Sequence, residues 1–331
     1  MKTYFITGGE GFIGFHICQH LLDRDEDVEI VTYDAQKHYV PLDDSFWPTY
    51  QQYRMKTLGD RVTRIRGDTT DRGLLKEKLA EHEPDVILHL AALPIANVSN
   101  KYPAEARTNI LDGTITLMDV LRETDFEFDR VVYTSSSMVY GDFETEDDGT
   151  IIPASETTDC APVGLYGGMK LSGEHITRSY ARRFDLPYTI IRPSAVYGPT
   201  DCNRRVTEIF LTNALEGKRL RLDNGGYHKL DFTYVKDLAE GFVLAAEHDN
   251  GLDETFNMTR GEGRSIRELA NVVADLVPGT EMYEEEKTVY RPNRGALDVS
   301  KARELLGYEP SFSLEEGFEE YHDFVVSQDV V

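Results

Sequence analysis

The chain opens on Met1-Lys-Thr-Tyr-Phe-Ile-Thr-Gly-Gly-Glu-Gly-Phe-Ile-Gly14, and the reading of these fourteen residues decides the fold. Lys2 to Thr7 read as a short buried strand. Gly8, Gly11 and Gly14 follow at three-residue spacing, and Phe12, Ile13, Ile17, Leu21 and Leu22 then recur in a helix-like pattern. A strand that turns through glycines into a helix leaves backbone N–H groups free at the helix N-terminus, where phosphate is favoured. Glycine also lets a ligand and a neighbouring strand come close to the backbone. Alone, this spacing also fits an ordinary tight connection.

A second feature resolves the ambiguity. Val28 to Tyr33 form an apolar run that Asp34 ends, and the carboxylate falls about 20 residues past the glycines, where a dinucleotide site needs one. Asp34 there can accept both hydroxyls of an adenosine ribose and would repel a 2′-phosphate, which predicts NAD in preference to NADP. Lys37 lies close enough to keep the phosphorylated form open.

Strand and helix patterns continue to alternate. Strands are expected at Val62–Arg66, Asp85–Leu90, Arg130–Ser135 and Tyr188–Arg192, with helices near Asp71–His82, Ala104–Arg122 and Tyr166–Phe184. This alternation predicts an α/β fold, a Rossmann-like doubly wound parallel sheet with ligands at the carboxyl ends of its strands. The polar stretch from about Phe143 to Val163 reads as a long active-site loop. After Pro193 the alternation loosens, with helices near Arg204–Glu216, Val235–His248, Ser265–Leu276 and Ser300–Leu306. The expected division is an NAD-binding domain over 1–195, with about 230–250, and a smaller substrate-binding domain over 196–229 and 251–331.

At 331 residues the chain can bury one large core or two smaller ones. A formal net charge of −24 argues against nucleic acid as a partner, since the phosphate backbone would be repelled. Acids abound and lysines are few, a balance suited to a salty cytoplasm. The three cysteines, Cys18, Cys160 and Cys202, lack paired metal-ligand spacing, so no metal and no disulfide framework is expected. No apolar run reaches membrane-spanning length and the N-terminus already reads as a strand, which together predict a soluble cytoplasmic protein with no membrane partner.

The chemistry-bearing residues lie mid-chain. Val131-Val-Tyr-Thr-Ser-Ser-Ser-Met-Val-Tyr-Gly141 brings hydroxyls to a strand end, and Tyr166-Gly-Gly-Met-Lys170 puts a phenol and an ammonium four apart on one helix face. A free tyrosine titrates near pH 10. A neighbouring ammonium and an oxidised nicotinamide favour the phenolate, which can then take a proton from an alcohol while hydride leaves.

These motifs, together with Gly67-Asp68, His89-Leu-Ala-Ala92, Arg192-Pro-Ser-Ala-Val-Tyr-Gly-Pro199, Leu230-Asp-Phe-Thr-Tyr-Val-Lys-Asp-Leu238 and Asp298-Val-Ser-Lys-Ala-Arg-Glu-Leu-Leu-Gly307, resemble the extended short-chain dehydrogenase/reductases. The likeness spans nearly the whole chain. It is to their NAD-dependent sugar-nucleotide epimerase/dehydratase branch, including enzymes like UDP-glucose 4-epimerase. The resemblance implies that Gly8, Gly11 and Gly14, with Phe12 and Ile13 alongside, cradle the NAD pyrophosphate. Asp34 would hold the adenosine ribose, Asp68 and Thr69 would lie against adenine, and Leu90, Ala91 and Ala92 would line the nicotinamide side. Tyr166 would be the base, Lys170 would bind the nicotinamide ribose, and Ser136, four residues before Tyr140, would be the hydroxyl partner. Ser135 and Ser137 are its nearest rivals. Arg291 would face the substrate diphosphate, and a homodimer through the helices near Ala104–Arg122 and Tyr166–Phe184 is implied.

Departures from that pattern narrow the reaction. Dehydratases and decarboxylases of the branch carry an acid just after the catalytic hydroxyl, where Ser137 and Met138 stand here. The cysteine–histidine pair of a fucose-synthase-like enzyme has no counterpart. What remains is oxidation and re-reduction of one carbon, as in a sugar-nucleotide 4-epimerase passing through a 4-ketose. The alternatives are a keto-reductase or dehydratase of the same family, or a nucleotide-sensing binding protein. Ala195 and Leu230 replace residues that the family uses near the diphosphate, and Asn109 sits one residue farther from Gly113 than its counterpart.

Overall fold

The computed structural model describes residues 1–24, 27–39, 46–287 and 292–328. The first two-thirds alternates as expected: β1 (Lys2–Thr7), α1 (Phe12–Arg24), β2 (Val28–Asp34), α2 (Trp47–Leu58), β3 (Thr63–Arg66), α3 (Arg72–His82), β4 (Val86–His89), the short α4 (Ala96–Lys101) and α5 (Pro103–Arg107), α6 (Gly113–Leu121), β5 (Arg130–Thr134), α7 (Leu165–Phe184) and β6 (Tyr188–Arg192). Then come β7 (Ala195–Tyr197), α8 (Val206–Leu215), β8 (Leu220–Asp223), β9 (Lys229–Tyr234), α9 (Val235–Glu247), β10 (Glu254–Asn257), β11 (Gly263–Ser265), α10 (Ile266–Leu276), β12 (Met282–Glu285), α11 (Ser300–Leu306) and α12 (Leu314–Ser327).

A seven-stranded sheet runs β3-β2-β1-β4-β5-β6-β10, every pairing parallel. This is the doubly wound Rossmann-like sheet. Tyr4, Phe5 and Ile6 of β1 are all buried because helices cover both faces of a parallel sheet. α1, α9 and α11 pack on one face, through residues such as Ile17, Leu21, Phe242 and Leu306. Leu75 and Leu79 of α3 and Leu117 and Met118 of α6 cover the other. The order of strand addition reverses between β1 and β4, so a crevice opens at their carboxyl ends, where Thr7 lies beside Tyr33 on one side and His89 on the other.

A second core gathers α8, α10 and α12 around β7, β8 and β9. In it β9 joins β11 and β7, while β8 pairs with β12. β10 extends the large sheet, and Ala302, Leu306 and Tyr308 pack with that sheet's core.

Two local expectations change. The helix expected over Ala104–Arg122 is broken by a π turn at Thr108–Asp112, which absorbs one residue and accounts for the extra step between Asn109 and Gly113. The polar stretch from Phe143 is a brace rather than an active-site loop. The Phe143 amide donates to the Asn293 carbonyl at 2.8 Å, and the Asp298 amide donates to the Ala154 carbonyl at 3.0 Å. These two bonds tie the stretch to the segment around Asn293–Asp298, its other backbone bonds close mostly on itself, and no residue from 143 to 161 lines the cavities described below. Among the described residues no helix is long and apolar enough to cross a membrane.

Candidate active site

The turn from β1 into α1 is tight because it must be. Gly8 has φ +74°, and a Cβ there would stand 2.8 Å from the Ala91 amide nitrogen on the neighbouring loop. A Cβ on Gly14 would stand 2.4 Å from the Gly8 carbonyl oxygen. With these side chains missing, Gly8, Gly11, Phe12, Ile13 and Gly14 line one wall of a cleft at the sheet's switch point. Leu90, Ala91 and Ala92 line the same cleft beside the glycine turn.

Asp34 sits at the end of β2, in the same cleft. One of its oxygens accepts from the Gln36 amide at 2.7 Å and the other from the Glu10 amide at 3.1 Å. Burial pushes its pKa up, and those backbone amides pull it back. A carboxylate has about four acceptor sites, so it retains capacity for two ribose hydroxyls. Lys37 turns away from this point. Its ammonium donates to Asp68 at 2.6 Å and to Asn109 at 3.2 Å, with Thr69 buried beside them. Asn109 also accepts from the Tyr39 hydroxyl at 3.1 Å, so the π turn holds a polar corner of the cleft. The two carboxylates at Glu10 and Asp34, with Lys37 already engaged, fit an unphosphorylated ribose. The residues present therefore fit NAD.

The proposed catalytic residues converge where the cleft meets a second cavity of about 720 Å³. Ser136 and Tyr166 line both spaces, while Lys170 lines the cleft. Of the three serines, Ser135 is tied to the buried Glu174 carboxylate at 2.5 Å, and Ser137 accepts from Arg294. Ser136 is left facing the phenol. Burial raises the Tyr166 pKa, while Arg205 and the Ser136 hydroxyl draw it down. Lys170 is buried, donates to the Thr134 carbonyl at 2.7 Å, and lies 6.0 Å from the Tyr166 ring centre. Burial lowers its pKa to about 7, with Glu174 one turn along α7 acting to raise it. Arg192 secures Glu174 through two bonds of 2.8 and 2.7 Å.

The second cavity lies between the two cores. Among its described lining residues are six cations, Arg204, Arg205, Arg219, Arg221, Lys287 and Arg294, and a single carboxylate, Asp223. That balance is the reverse of the chain's overall charge and suits an anionic ligand. Ala195 and Leu230 line it as well. Arg291 lies outside the described residues. Sequence reading missed Arg205 and Arg294, which arrive on loops without periodicity. It also missed Glu174, whose signal was present, since it extends the Tyr166–Lys170 stripe by another four residues.

Comparison with known proteins agrees with this geometry. The sequence model of the NAD dependent epimerase/dehydratase family matches residues 4–259. The chain belongs to that family. An uncharacterised UDP-glucose epimerase of Bacillus subtilis is 30% identical over 317 residues, covering 94% of each chain. A dTDP-glucose 4,6-dehydratase of Escherichia coli is 28% identical over 349 residues, covering 97% of this chain and 92% of its own. The crystal structure of UDP-glucuronic acid 4-epimerase from Bacillus cereus, with UDP-glucuronic acid and NAD, superposes with a TM-score of 0.88 at 29% identity, covering 98% of this chain and 99% of that one.

This family member is accordingly an NAD-dependent enzyme of sugar-nucleotide chemistry. Its sheet, its glycine turn and its Ser136–Tyr166–Lys170 cluster are the features that the sequence resemblance had placed in the extended short-chain dehydrogenase/reductases. Among the described residues no group of three or more His, Cys, Asp or Glu could hold a metal ion.

Proposed function

We propose that the chain is a sugar-nucleotide 4-epimerase of the UDP-glucose 4-epimerase type. The observation that carries this reading is the absence of an acid beside the reacting centre among the described residues. Ser137 and Met138 follow Ser136 and both face Arg294, and the cavity's one described carboxylate, Asp223, is held by Arg221 at 3.1 Å and Lys287 at 3.0 Å. Among the described residues no carboxylic acid is free there to protonate a leaving hydroxyl, which disfavours dehydration. The similarity to the B. cereus 4-epimerase supports the same reading.

In this reading Gly8, Gly11, Phe12, Ile13 and Gly14 hold the cofactor pyrophosphate, Asp34 its adenosine ribose, Asp68 and Thr69 its adenine, and Leu90 to Ala92 its nicotinamide. When bound, NAD accepts hydride from the sugar and returns it. Tyr166 takes the C4 hydroxyl proton and later gives it back, Ser136 holds the C4 oxygen, and Lys170 keeps the phenol poised. The cavity leaves room for the 4-ketose to turn, and its cations other than Arg294 hold the diphosphate while it does. The diphosphate role first given to Arg291 stays with the proposal.

The division into a cofactor unit (1–195 and about 230–250) and a substrate unit (196–229 and 251–331) belongs to the same proposal, with β10 and Ala302–Tyr308 packing on the former. So does a homodimer through α6 and α7, whose exposed Ile115 and Leu165 offer apolar contact. Sedimentation at twice the chain mass of 37.6 kDa supports the dimer, and a monomer contradicts it. Cys18, Cys160 and Cys202 are joined by no disulfide, which suits the reducing cytoplasm.

The test is to incubate the NAD-loaded protein with UDP-glucose, UDP-glucuronate and dTDP-glucose and to follow the sugar by NMR. Expected is C4 inversion with no net change in nicotinamide absorbance. A 4-keto-6-deoxy product would make the protein a dehydratase. Stoichiometric nicotinamide oxidation on sugar-nucleotide ketones would make it a reductase, and a Tyr166→Phe variant without loss of any activity would revive the binding protein.

A further inference from the structure

Arg294 is a cation without a partner of opposite charge among the described residues. It enters from the segment that the Phe143–Ala161 brace holds in place: the Asn293 amide donates to Asp142 at 2.6 Å, and the Asn293 carbonyl accepts from Phe143. The guanidinium donates to the Ser137 hydroxyl, to the Ser194 hydroxyl at 3.1 Å and to the Met138 sulfur at 3.1 Å. Its Nε is buried with no partner. The charge that it feels most is Asp231, whose Oδ2 is taken by Thr259 at 2.8 Å, Leu297 at 3.0 Å and Gly261 at 3.1 Å, and no ion pair forms between the two. Burial lowers the Arg294 pKa to about 10, so it remains charged at neutral pH.

An enclosed cation with an unused donor is costly unless something neutralises it. Ser137 and Ser194 both accept from Arg294, so each keeps its own hydroxyl proton to donate into the cavity that all three line. Two hydroxyl donors beside a guanidinium make an acceptor site for a planar anion. Resting on the C4 chemistry proposed above, its place relative to the sugar follows. Ser137 is the next residue after Ser136, which holds the C4 oxygen, so Arg294 serves a substituent on a carbon adjoining C4. The diphosphate hangs from C1, across the ring. The adjoining C5 carries C6, and C6 is anionic when it is a carboxylate.

We infer that the substrate is a nucleoside diphosphate hexuronate, whose C6 carboxylate is held by Arg294, Ser137 and Ser194. A neutral hydroxymethyl group in that place would leave the guanidinium opposed only by Asp231, with which it forms no ion pair.

The test measures kcat/KM for NAD-loaded protein on UDP-glucuronate against UDP-glucose, and on the dTDP pair, with titration calorimetry of the same four compounds on the Tyr166→Phe variant. Expected is a preference for the uronate of at least about 100-fold in one base series, collapsing in Arg294→Met through loss on the uronate, as for a site built to bond a group its competitor lacks. Ser194→Ala should reduce the preference about tenfold and guards against a misfolded Arg294 variant. If neither sugar is epimerised, the 4-epimerase reading fails, and the calorimetry still judges the carboxylate site by whether the uronate binds tighter and loses that advantage when Arg294→Met is added. No uronate preference in either base series, or an equal loss on both sugars in Arg294→Met, overturns the inference.

Discussion

The Tyr166 phenol works only if its neighbours keep a positive charge close. Lys170 supplies that charge, yet burial alone would discharge it, and Glu174 is the group that opposes the loss. Glu174 is a positioning residue: it touches neither cavity but fixes Ser135, Arg192 and, through its charge, Lys170. Replacing Glu174 by Gln removes the negative charge, so the Lys170 pKa falls and its ammonium is lost at lower pH. The alkaline limb of the kcat/KM profile should move to lower pH by roughly one unit, with Glu174→Asp restoring part of it. An unchanged profile would leave Glu174 a purely structural anchor. By contrast, Tyr166→Phe should cost about 10³-fold or more in kcat while NAD, judged by absorbance of the purified protein, stays bound. The sequence brought out Ser136, Tyr166 and Lys170 as candidates because the proposed chemistry imposes a strand end and a four-residue helical step. It could not reveal Arg205 or Arg294, whose positions depend on how a distant loop is braced rather than on any local period.

Helix α7 ties that chemistry to the sheet. One turn beyond Lys170, Gly173 lies against β5 so closely that a Cβ would stand 2.0 Å from the Tyr133 hydroxyl oxygen. That hydroxyl donates to the Lys170 carbonyl at 3.3 Å, so the contact locates the residues proposed to act. Gly173→Ala should push the helix outward, lowering stability by about 1–3 kcal/mol. It should lower kcat by about 100-fold because the phenol and ammonium shift together. Thermal unfolding and steady-state kinetics measure the two effects, and a folded, fully active variant would show that α7 has slack. Elements differed in how far their residues disclosed them. β1, β4 and β5 are buried on both faces and read as apolar runs. α12 is equally legible: Ser313 and Glu316 form a reciprocal cap, and Leu314, Phe318, Tyr321 and Val325 fall on its buried face. β8 and β12 were not legible, since Leu220-Arg-Leu-Asp223 and Met282-Tyr-Glu-Glu285 become strands only by pairing with each other.

Taken as a whole, the molecule must hold 59 acidic against 35 basic side chains in one compact body. Surface ion pairs weaken as salt screens them, but so does the larger self-repulsion of the excess negative charge. The second should win. Raising NaCl from 0.05 to 1 M should lift the melting temperature by about 5 °C, beyond any rise in sucrose of equal osmolarity. A flat or falling response would mean that the ion pairs outweigh the net charge.

The two cores also meet over buried acids. Asp201 follows β7, Glu208 stands on α8, and around them lie Tyr50 and Arg54 of α2, Arg204 and Arg205, Cys202, and Tyr321 of α12. The Glu208 Oε2 accepts from the Arg204 amide at 2.6 Å, whereas its Oε1 and the Asp201 Oδ2 are buried without a hydrogen-bond partner, the Arg204 guanidinium lying 3.9 Å from Oε1. Burial first, and then the Asp201 charge, pushes the Glu208 pKa up to about 8, well above its ordinary 4.5. Between those two values the folded chain keeps a proton that the unfolded chain has released, so stability declines as pH rises through the window. Glu208→Gln has nothing to release and keeps a carbonyl for the Arg204 amide. Its melting temperature should therefore gain on the wild type steadily from pH 5 to pH 8 and run parallel above that. The gain should reach on the order of 2 kcal/mol, or roughly 5 °C. Melting curves that stay parallel from pH 5 to pH 8 would show that the junction carries no shared proton and that the two cores are joined by packing alone.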